Sequence, residues 1–405
     1  MKIGVFSAGD RNNYGDILFP IIFRKYFKNK IDLKIKNYGV MESDLSSFGG
    51  LKTQSIVDTI KDNNDYIVVC GGETLGANWT DAFLTYDQYE NKFFNFIFRA
   101  MNKIFGMNWN IFLRNLILGN KMLNYIMPYN LSYKMYNKTK IIYNSVGGSS
   151  INLLKKEYKK YIENTLNTAE YISVRDEKTL INLQELGVKK EINLFPDSAI
   201  LMSDYFNNEN LKELHSKFFK DNYFQKISHK NYIVFQIAEN YAKNKIDTIV
   251  RELEKIYLKT KYQIVLLPIG KAAYHLDQIP LKKIYKKLKD EMDIIYVETQ
   301  NIYETMYILG NTQLYIGTSL HGAITAFSFN RRHVALTNKV TKLREFLKTW
   351  SLGDNYIEIE NLALNIEKYL KEDTKLIKEK NKIAKEKAIE NFKNIERIIV
   401  GKGNE

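Results

Sequence analysis

The chain has 405 residues, of which 45% are hydrophobic and 26% are charged, with one cysteine and a formal net charge of +14. This length fits two domains, and the composition is that of globular proteins rather than of disordered or fibrous ones. The single cysteine, Cys70, excludes a disulfide framework, and its apolar surroundings are typical of a buried strand.

The positive charge suits three kinds of partner: nucleic acid, an anionic membrane face or an acidic saccharide. Lysines are interleaved with glutamates along most helical segments, so we expect most of this charge on solvated faces. The sequence has no RNA-recognition motif, zinc-finger spacing or basic recognition helix, and we expect no nucleic-acid partner. The first residues read as a core strand rather than as a secretory signal, and no apolar run is long enough to span a membrane. We therefore expect a cytoplasmic protein.

From the first residue, short apolar segments alternate with helical patterns, which is typical of parallel sheets with crossover helices. A long helical and aromatic segment, residues 76–139, interrupts this alternation and is predicted to be an insertion. Its cations Arg99, Lys103, Arg114 and Lys121 suit a face that lies on an anionic membrane; a lid or a homodimer contact is the alternative. The strands predicted in this half are residues 2–7, 32–37, 65–70, 140–146, 171–175 and 191–195.

The alternation weakens in a polar segment, residues 206–230, which is the predicted linker, and then a second series begins. Its strands are predicted at residues 231–237, 263–269, 293–298, 312–317 and 332–337. From residue 353 a helical tail is expected, because Leu376, Ile383, Phe392, Ile395 and Ile399 recur at helical spacing; this stripe should pack back on one or both domains. The prediction is an α/β protein with two tandem Rossmann-like, doubly wound domains, residues 1–205 and 231–352.

Ligands of doubly wound sheets bind at the carboxyl ends of the strands, so the residues that follow strands are the candidates for function. Asn13, Gly15 and Asp16 follow the first strand, with a helix expected from about Ile17 and Asp16 as its cap. We expect either a cap alone or a cap that also touches a ligand.

Two glycine turns follow neighbouring strands: Gly71 and Gly72 before Glu73, and then Gly147 with Gly148. Glycines let a ligand approach the backbone closely. Arg175 ends the next strand, where a buried guanidinium needs either a structural partner such as Asp176 or an anionic ligand, and we favour a ligand clamp.

His321 follows the strand at residues 312–317 and opens a helix, where free amides and the helix dipole favour an anion. It is the best acid or base candidate, and a satisfied core histidine is the alternative. His275 and Asp277 follow another strand and are expected to face an interdomain cleft, the one in which His321 is expected to lie. His215, His229 and His333 are expected on the surface. We find no spacing typical of a metal site, no Walker loop and no nucleophile elbow.

Six short motifs at these turns together resemble the polysaccharide pyruvyl transferase family. They span most of the chain apart from the insertion and the tail. The motifs are Asn13-Tyr14-Gly15-Asp16, Val69-Cys70-Gly71-Gly72, Ser173-Val174-Arg175-Asp176, Pro196-Asp197-Ser198-Ala199, Leu267-Pro268-Ile269-Gly270 with His275 and Asp277, and Ser319-Leu320-His321-Gly322 with Ala326.

The resemblance implies a fold similar to the GT-B glycosyltransferases. It also implies transfer of pyruvate from phosphoenolpyruvate, as a donor substrate and without a cofactor, onto a saccharide or lipid-linked glycan of a surface polysaccharide. The product would be a ketal or an enol ether. The acceptor sugar and its linkage stay open.

On this resemblance His321 is the general acid, Arg175 the carboxylate clamp, and the helix start from His321 to Ala323 the phosphate cradle. From the chemistry rather than from the resemblance, we infer that Asp16 acts as a base or binds the acceptor hydroxyl. Many family members carry arginine where this chain has Ser319, and Glu73 would repel an anionic donor, so its turn is expected to face the acceptor. The expected substrate-binding residues are Arg175, Ser319, Leu320, Gly322, Asn13, Gly15, Gly71, Gly72, Glu73, Gly147, Gly148 and His275.

Two other functions fit the same pattern. One is a glycosyltransferase of this architecture that uses a nucleotide sugar. The other is a non-catalytic protein that binds saccharides.

Overall fold

The computed structural model divides the chain into two compact units. The first unit comprises Met1–Ser198 and Glu386–Glu405, and the second comprises Ala199–Lys385. The structure describes residues 1–28, 30, 33–85, 92–119, 125–136, 138–211, 227, 231–270, 276–299, 301–353 and 355–401.

The first unit contains an eight-stranded sheet in its described part, with the order β3-β4-β2-β1-β5-β6-β7-β8. All pairs are parallel except β3 with β4. Each strand expected from the sequence here has its counterpart, whereas β3 and β4 were missed because these short strands, the outer two at one side of the sheet, carry no apolar run. The strands are β1 Lys2–Phe6, β2 Lys34–Gly39, β3 Ser43–Asp44, β4 Lys52–Ser55, β5 Tyr66–Cys70, β6 Lys140–Val146, β7 Tyr171–Val174 and β8 Asn193–Leu194.

The second unit contains a parallel sheet with the order β11-β10-β9-β12-β13-β14. In both sheets the strand order reverses once, between β1 and β5 and between β9 and β12, and such reversals are where doubly wound sheets bind ligands. The strands are β9 Tyr232–Gln236, β10 Gln263–Leu266, β11 Ile294–Tyr296, β12 Leu314–Gly317, β13 Arg332–Leu336 and β14 Tyr356–Ile357.

Helices connect the parallel strands, because a parallel pair needs a crossover connection rather than a tight turn. In the first unit they are α1 Tyr14–Phe27, α2 Thr59–Asp62, α3 Trp79–Leu84, α4 Lys92–Phe105, α5 Met107–Leu118, α6 Lys156–Leu166 and α7 Glu177–Glu185. In the second unit they are α8 Met202–Tyr205, α9 Glu239–Ala242, α10 Ile246–Thr260, α11 Gln278–Leu288, α12 Ile302–Asn311, α13 Leu320–Ser328, α14 Thr341–Trp350 and α15 Leu362–Lys371, and α16 Thr374–Val400 ends the described chain.

The unit boundary falls earlier than the sequence-based boundary at residue 205. Ser203 Oγ donates to Ser328 O at 2.8 Å, and Ser328 Oγ donates to Ile200 O at 2.6 Å. These bonds tie the segment after Ser198 to α13. Most of the predicted linker, residues 212–226 and 228–230, lies outside the described residues.

Residues 353–405 are not helical throughout, because β14 extends the second sheet. In α16 the buried apolar stripe includes Ile377, Phe392 and Ile395, whereas Leu376 is 49% exposed and Ile383 is 55% exposed. The predicted stripe was therefore wrong at these two positions. Asn391 is also buried, and its Nδ2 donates to Asn144 Oδ1 at 2.8 Å.

The insertion between β5 and β6 contributes to the core of the first unit through Trp79 and Tyr125, which are both fully buried. Arg114 is only 2% exposed, and its Nη2 donates to Asn115 Oδ1 at 2.7 Å. The placement of Arg114 on an exposed cationic face was therefore wrong, and Lys121 lies outside the described residues. Within the described part of the chain no helix is long and apolar enough to cross a membrane.

Candidate functional site

The turn after β1 is capped by Asn13, whose Oδ1 accepts a hydrogen bond from Gly15 N at 3.3 Å. Helix α1 begins at Tyr14, so the prediction that Asp16 caps a helix starting near Ile17 was wrong. Asp16 lies in the first turn instead, and a Cβ on Gly72 would lie 3.5 Å from its Oδ1. The Asp16 carboxylate and the Gly72 backbone therefore meet at the reversal between β1 and β5.

The two glycine turns are joined by backbone hydrogen bonds, since Gly147 N donates to Gly72 O at 2.7 Å. Gly71 has a φ of +59°, and a Cβ there would overlap the Phe19 ring. A Cβ on Gly148 would overlap Ile151 in the same way. Close contacts within the protein thus explain why glycine occupies positions 71 and 148. That a ligand approaches the backbone at these turns stays a prediction.

Arg175 is 4% exposed in its side chain and is surrounded by carboxylates. Its Nη2 lies 2.8 Å from Glu73 Oε2, and its Nη1 lies 3.1 Å from Asp197 Oδ2. Asp176 is more distant, at 3.9 Å from Nε, because its Oδ1 caps α7 through Thr179 N at 2.7 Å. Burial alone would lower the pKa of Arg175, but Glu73, Asp197 and Asp176 raise it above its ordinary value. The guanidinium of Arg175 is therefore paired with carboxylates of the protein itself.

Glu73 holds this cluster against the second glycine turn. Its Oε1 accepts hydrogen bonds from Ser149 N at 2.6 Å and from Ser149 Oγ at 2.8 Å. A Cβ on Gly147 would lie 2.5 Å from Glu73 Oε2 and 2.7 Å from Arg175 Nε, so a larger residue there would have to displace the ion pair. The sequence identified Glu73, Gly147 and Arg175 as separate candidates, and the structure places them in one cluster.

A second buried cation near these turns was missed by the sequence analysis. Arg11 is 8% exposed, its Nε lies 3.2 Å from Asp10 Oδ1, and its guanidinium also donates to Tyr129 and Thr85. The only sequence signal was an Asp-Arg pair in a loop directly after a core strand, which is also common on surfaces. Arg11 links the loop after β1 to the insertion.

In the second unit, His321 lies in the first turn of α13 and is partly exposed. Ser319 is the N-cap of this helix and accepts a hydrogen bond from Gly322 N at 3.3 Å. Leu320 is 3% exposed, and a Cβ on Gly322 would overlap Tyr315 Oη. Leu320 is therefore buried, and Gly322 leaves room for the Tyr315 side chain, so the expected binding of substrate by these two residues stays a prediction. His275 lies outside the described residues.

The start of α13 is anchored by Gln236, which the sequence analysis also missed. Gln236 Oε1 accepts hydrogen bonds from Thr318 N at 2.8 Å and from Ser319 N at 2.9 Å. Its Nε2 donates to Asp277 Oδ2 at 2.7 Å. The available signal was a polar residue at the end of the apolar strand β9. It was overlooked because an uncharged amide at a strand end is easily taken for a turn residue.

Asp277 is fully buried beneath this network. Its Oδ2 also accepts from Ile269 N at 3.0 Å and Gly270 N at 2.7 Å, whereas Oδ1 has no hydrogen-bond partner among the described residues. Burial raises the pKa of Asp277 to about 7, against the hydrogen bonds and the charge of Lys342, which lower it. The carboxyl can therefore change its charge near neutral pH.

His333 was expected on the surface, and that prediction was wrong. It is fully buried, with Nε2 2.7 Å from Ser351 Oγ and Nδ1 3.0 Å from Arg331 O. Burial lowers its pKa to about 4. His215 and His229 lie outside the described residues.

Solved structures with a similar fold share little sequence with this chain. The UDP-GlcNAc 2-epimerase of Methanocaldococcus jannaschii is 14% identical with a TM-score of 0.56, covering 92% of this chain and 94% of its own. S. aureus MnaA, in a co-structure with UDP, is 14% identical with a TM-score of 0.57, covering 100% and 99%. Anabaena Alr3699/HepE in complex with UDP-glucose is 10% identical with a TM-score of 0.55, covering 99% of each chain.

These similarities, together with the two doubly wound units, define a protein with a GT-B-like fold. The fold class expected from the sequence is thereby confirmed. A sequence profile of the polysaccharide pyruvyl transferases matches residues 13–340, so the chain belongs to the polysaccharide pyruvyl transferase family and is a transferase. A search of curated proteins found no match to the chain.

Proposed function

We propose that this transferase moves pyruvate from phosphoenolpyruvate onto a saccharide or lipid-linked glycan in surface polysaccharide biosynthesis. The observation that carries the proposal is the position of His321, a partly exposed histidine in the first turn of α13. A helix start offers free amides to a phosphate, and a histidine beside it can deliver a proton at neutral pH.

The chemistry needs one proton donor and a place for phosphate. His321 would protonate the methylene carbon of the enol, which becomes a methyl group and leaves the neighbouring carbon electrophilic. A sugar hydroxyl attacks that carbon and gives up its proton, and the phosphate leaves with the electrons of its bond to carbon. Attack by a second hydroxyl completes a ketal, and its proton neutralises the departed phosphate. Loss of a proton instead of the second attack would give the enol ether.

In this proposal the phosphate binds at the start of α13, where Gly322 N would exchange its hydrogen bond to Ser319 Oγ for one to the phosphate. Ser319, the cap of this helix, stands where many relatives carry arginine. Arg175 would bind the donor carboxylate only by exchanging it for Glu73, which now occupies its Nη2 at 2.8 Å. Asp16 would accept a proton from the acceptor hydroxyl, and the turn at Glu73 would face the acceptor. None of these steps calls for a metal ion, so activity should survive EDTA.

The test is release of inorganic phosphate from phosphoenolpyruvate in the presence of candidate oligosaccharide acceptors. His321→Ala should abolish release, since no other group would supply the proton. Asp247→Ala, in the first turn of another helix of the same unit, is the matched control and should leave the rate unchanged. Full activity of His321→Ala, or no release by the wild type with any acceptor, would refute the proposal.

A nucleotide sugar is the competing donor, favoured by one observation: the similar solved structures include complexes with UDP, UDP-GlcNAc and UDP-glucose. A ligand that binds the native state raises the melting temperature. We expect phosphoenolpyruvate to raise it and UDP to leave it unchanged. The reverse result would favour a glycosyltransferase.

The acceptor class and the location belong to the same proposal. We infer that the enzyme works in the cytoplasm on a saccharide that is built on a lipid carrier. Cell fractionation should then recover it in the cytosol and at the inner face of the membrane. Recovery outside the cell would contradict this location.

A further inference from the structure

We propose that helices α4 and α5 of the insertion bind an anionic lipid bilayer through an exposed apolar face. The proposal deepens the proposed function, because a membrane-bound enzyme would meet an acceptor carried on lipid. We name this face the insertion surface. It consists of Phe94 (48% exposed), Phe96 (72%), Ile104 (69%), Phe105 (52%), Phe112 (55%) and Leu116 (63%).

So many large apolar side chains on two consecutive helices exceed the scattered exposure that is normal on protein surfaces. Elsewhere the exposed large hydrophobic residues are mostly single positions on separate elements, such as Leu258 and Leu364. Helices of this kind, with large aromatic and aliphatic side chains on one face and cations beside it, lie in the plane of a bilayer.

The charge around the insertion surface favours lipid over a second protein chain. From Asn91 to Lys156 the sequence contains no aspartate or glutamate, but it contains eight lysines and two arginines, of which Arg114 is buried. Lys103 is exposed on α4, and exposed Lys155 has its Nζ 3.0 Å from where a Cβ would lie on Gly106, in the turn between α4 and α5. Such a surface would repel its own copy and attract anionic headgroups.

On the side opposite the insertion surface, helices α4 and α5 pack against the rest of the first unit. Phe98 stacks on Phe83 with ring centroids 5.1 Å apart. Asn110 Nδ2 donates to Asn102 Oδ1 at 2.6 Å and to Tyr158 Oη at 2.9 Å. The inward face is thus satisfied by the protein, and the outward apolar side chains are displayed on a fixed platform.

The insertion is also tied to the strand ends of the first unit. Asn130 Nδ2 donates to Leu75 O at 3.0 Å, just after the Gly71-Gly72 turn, and Arg11 donates to Thr85. A bilayer bound to the insertion surface would therefore contact the insertion. The insertion is in turn hydrogen-bonded to the loops at the carboxyl ends of β1 and β5, where Asp16 and Glu73 lie. This arrangement suits an acceptor sugar presented from a lipid.

The test is cosedimentation of the purified full chain with vesicles. Binding to phosphatidylcholine vesicles containing 30% phosphatidylglycerol should be at least tenfold tighter than binding to pure phosphatidylcholine, and 0.5 M NaCl should weaken it. The triple variant Ile104→Ser, Phe105→Ser, Phe112→Ser should lose at least tenfold. The control pair Leu258→Ser, Leu364→Ser removes apolar side chains of the second unit that are 65% and 76% exposed, and it should bind as the wild type does.

The charge is tested separately. Lys103→Glu with Lys155→Glu should weaken binding to anionic vesicles severalfold, whereas Lys378→Glu with Lys382→Glu changes the net charge equally on exposed positions of α16 and should have little effect. Trp109 stacks on Phe112 with ring centroids 5.4 Å apart, so brominated lipid should quench its fluorescence. Of the other two tryptophans, Trp79 is fully buried and Trp350 lies at the end of α14 in the second unit, so the quenching should disappear in Trp109→Phe.

Equal binding to both kinds of vesicle, or none to either, would overturn the proposal. A dimer seen by light scattering and abolished by the triple variant, without vesicle binding, would assign the surface to a second copy instead. Vesicle binding is measured without donor or acceptor, so it remains interpretable even where pyruvyl transfer fails.

Discussion

Gln236 Nε2 donates a hydrogen bond of 2.7 Å to Asp277 Oδ2, and this pair joins the end of β9 to the residue before α11. Because the opposite atom of the same amide, Oε1, accepts from Thr318 N and Ser319 N, the amide can adopt only one orientation. The start of the helix that carries His321 is thereby fixed by a buried carboxyl in another segment.

Replacement of Asp277 by asparagine should flatten the pH dependence of stability. The folded pKa of about 7 lies above the ordinary value of 3.8, so the stability contributed by the protonated carboxyl is present below pH 4 and is lost as the pH rises to 7. At about 1.4 kcal/mol per pKa unit, the loss is on the order of a few kcal/mol. Urea denaturation from pH 4 to pH 8 measures it. Parallel curves for wild type and Asp277→Asn would contradict the shift, and Asp247→Asn, 75% exposed in its side chain, is the control.

His333 should give the opposite trend. Its folded pKa of about 4 lies below the ordinary 6.5, so the stability that comes from keeping it neutral is present above pH 6.5 and is lost as the pH falls to 4. His333→Asn should be less stable than the wild type at pH 7, through its lost volume, and should lose less on acidification. The same urea series tests it. A steeper acid loss in the variant would rule out this origin.

Gly322→Ala should destabilise the second unit by about 1–3 kcal/mol, because the new methyl group overlaps Tyr315 Oη and would lie 2.8 Å from Ile269 Cδ1. Movement of Tyr315 would disturb Gln236 and, through it, the start of α13, so phosphate release should fall as well. Gly76→Ala is the matched control, since its Cβ would meet only Ser150 Oγ at 3.2 Å and Ile151 at 4.0 Å. Equal melting temperatures for the two variants would contradict the packing around Tyr315.

Arg175→Ala should cost about 3–5 kcal/mol, because it leaves the carboxylates of Asp197 and Asp176 buried without their cation. Glu73→Gln should cost less, since Arg175 keeps the other two partners. If Arg175 also binds the donor by releasing Glu73, Glu73→Gln should lower the KM for phosphoenolpyruvate. If the KM of Glu73→Gln for phosphoenolpyruvate is unchanged while both variants lose stability, the role of Arg175 is purely structural.

The repetition of apolar segments determined much of this fold in advance. Most parallel strands are apolar runs bounded by turn residues, and such runs are buried whichever neighbours they pair with. The local pattern was therefore sufficient to predict the positions of β5, β6, β9 and β12. The rule that ligands bind at strand ends then singled out Asp16, Arg175 and His321 without coordinates. Family membership followed from the same short motifs.

Only the tertiary structure decided which partners these residues have. Glu73 and Arg175 are 102 positions apart, and Gln236 and Asp277 are 41 apart, so no local pattern connects them. The burial of His333 and Ile377 likewise depends on which segment covers each side chain. Sequence periodicity reports which face of an element is apolar, whereas the charge state and the hydrogen bonds of a polar group depend on residues that the fold brings from elsewhere. His321 was found from the sequence, but the Gln236 and Asp277 network beneath it was not.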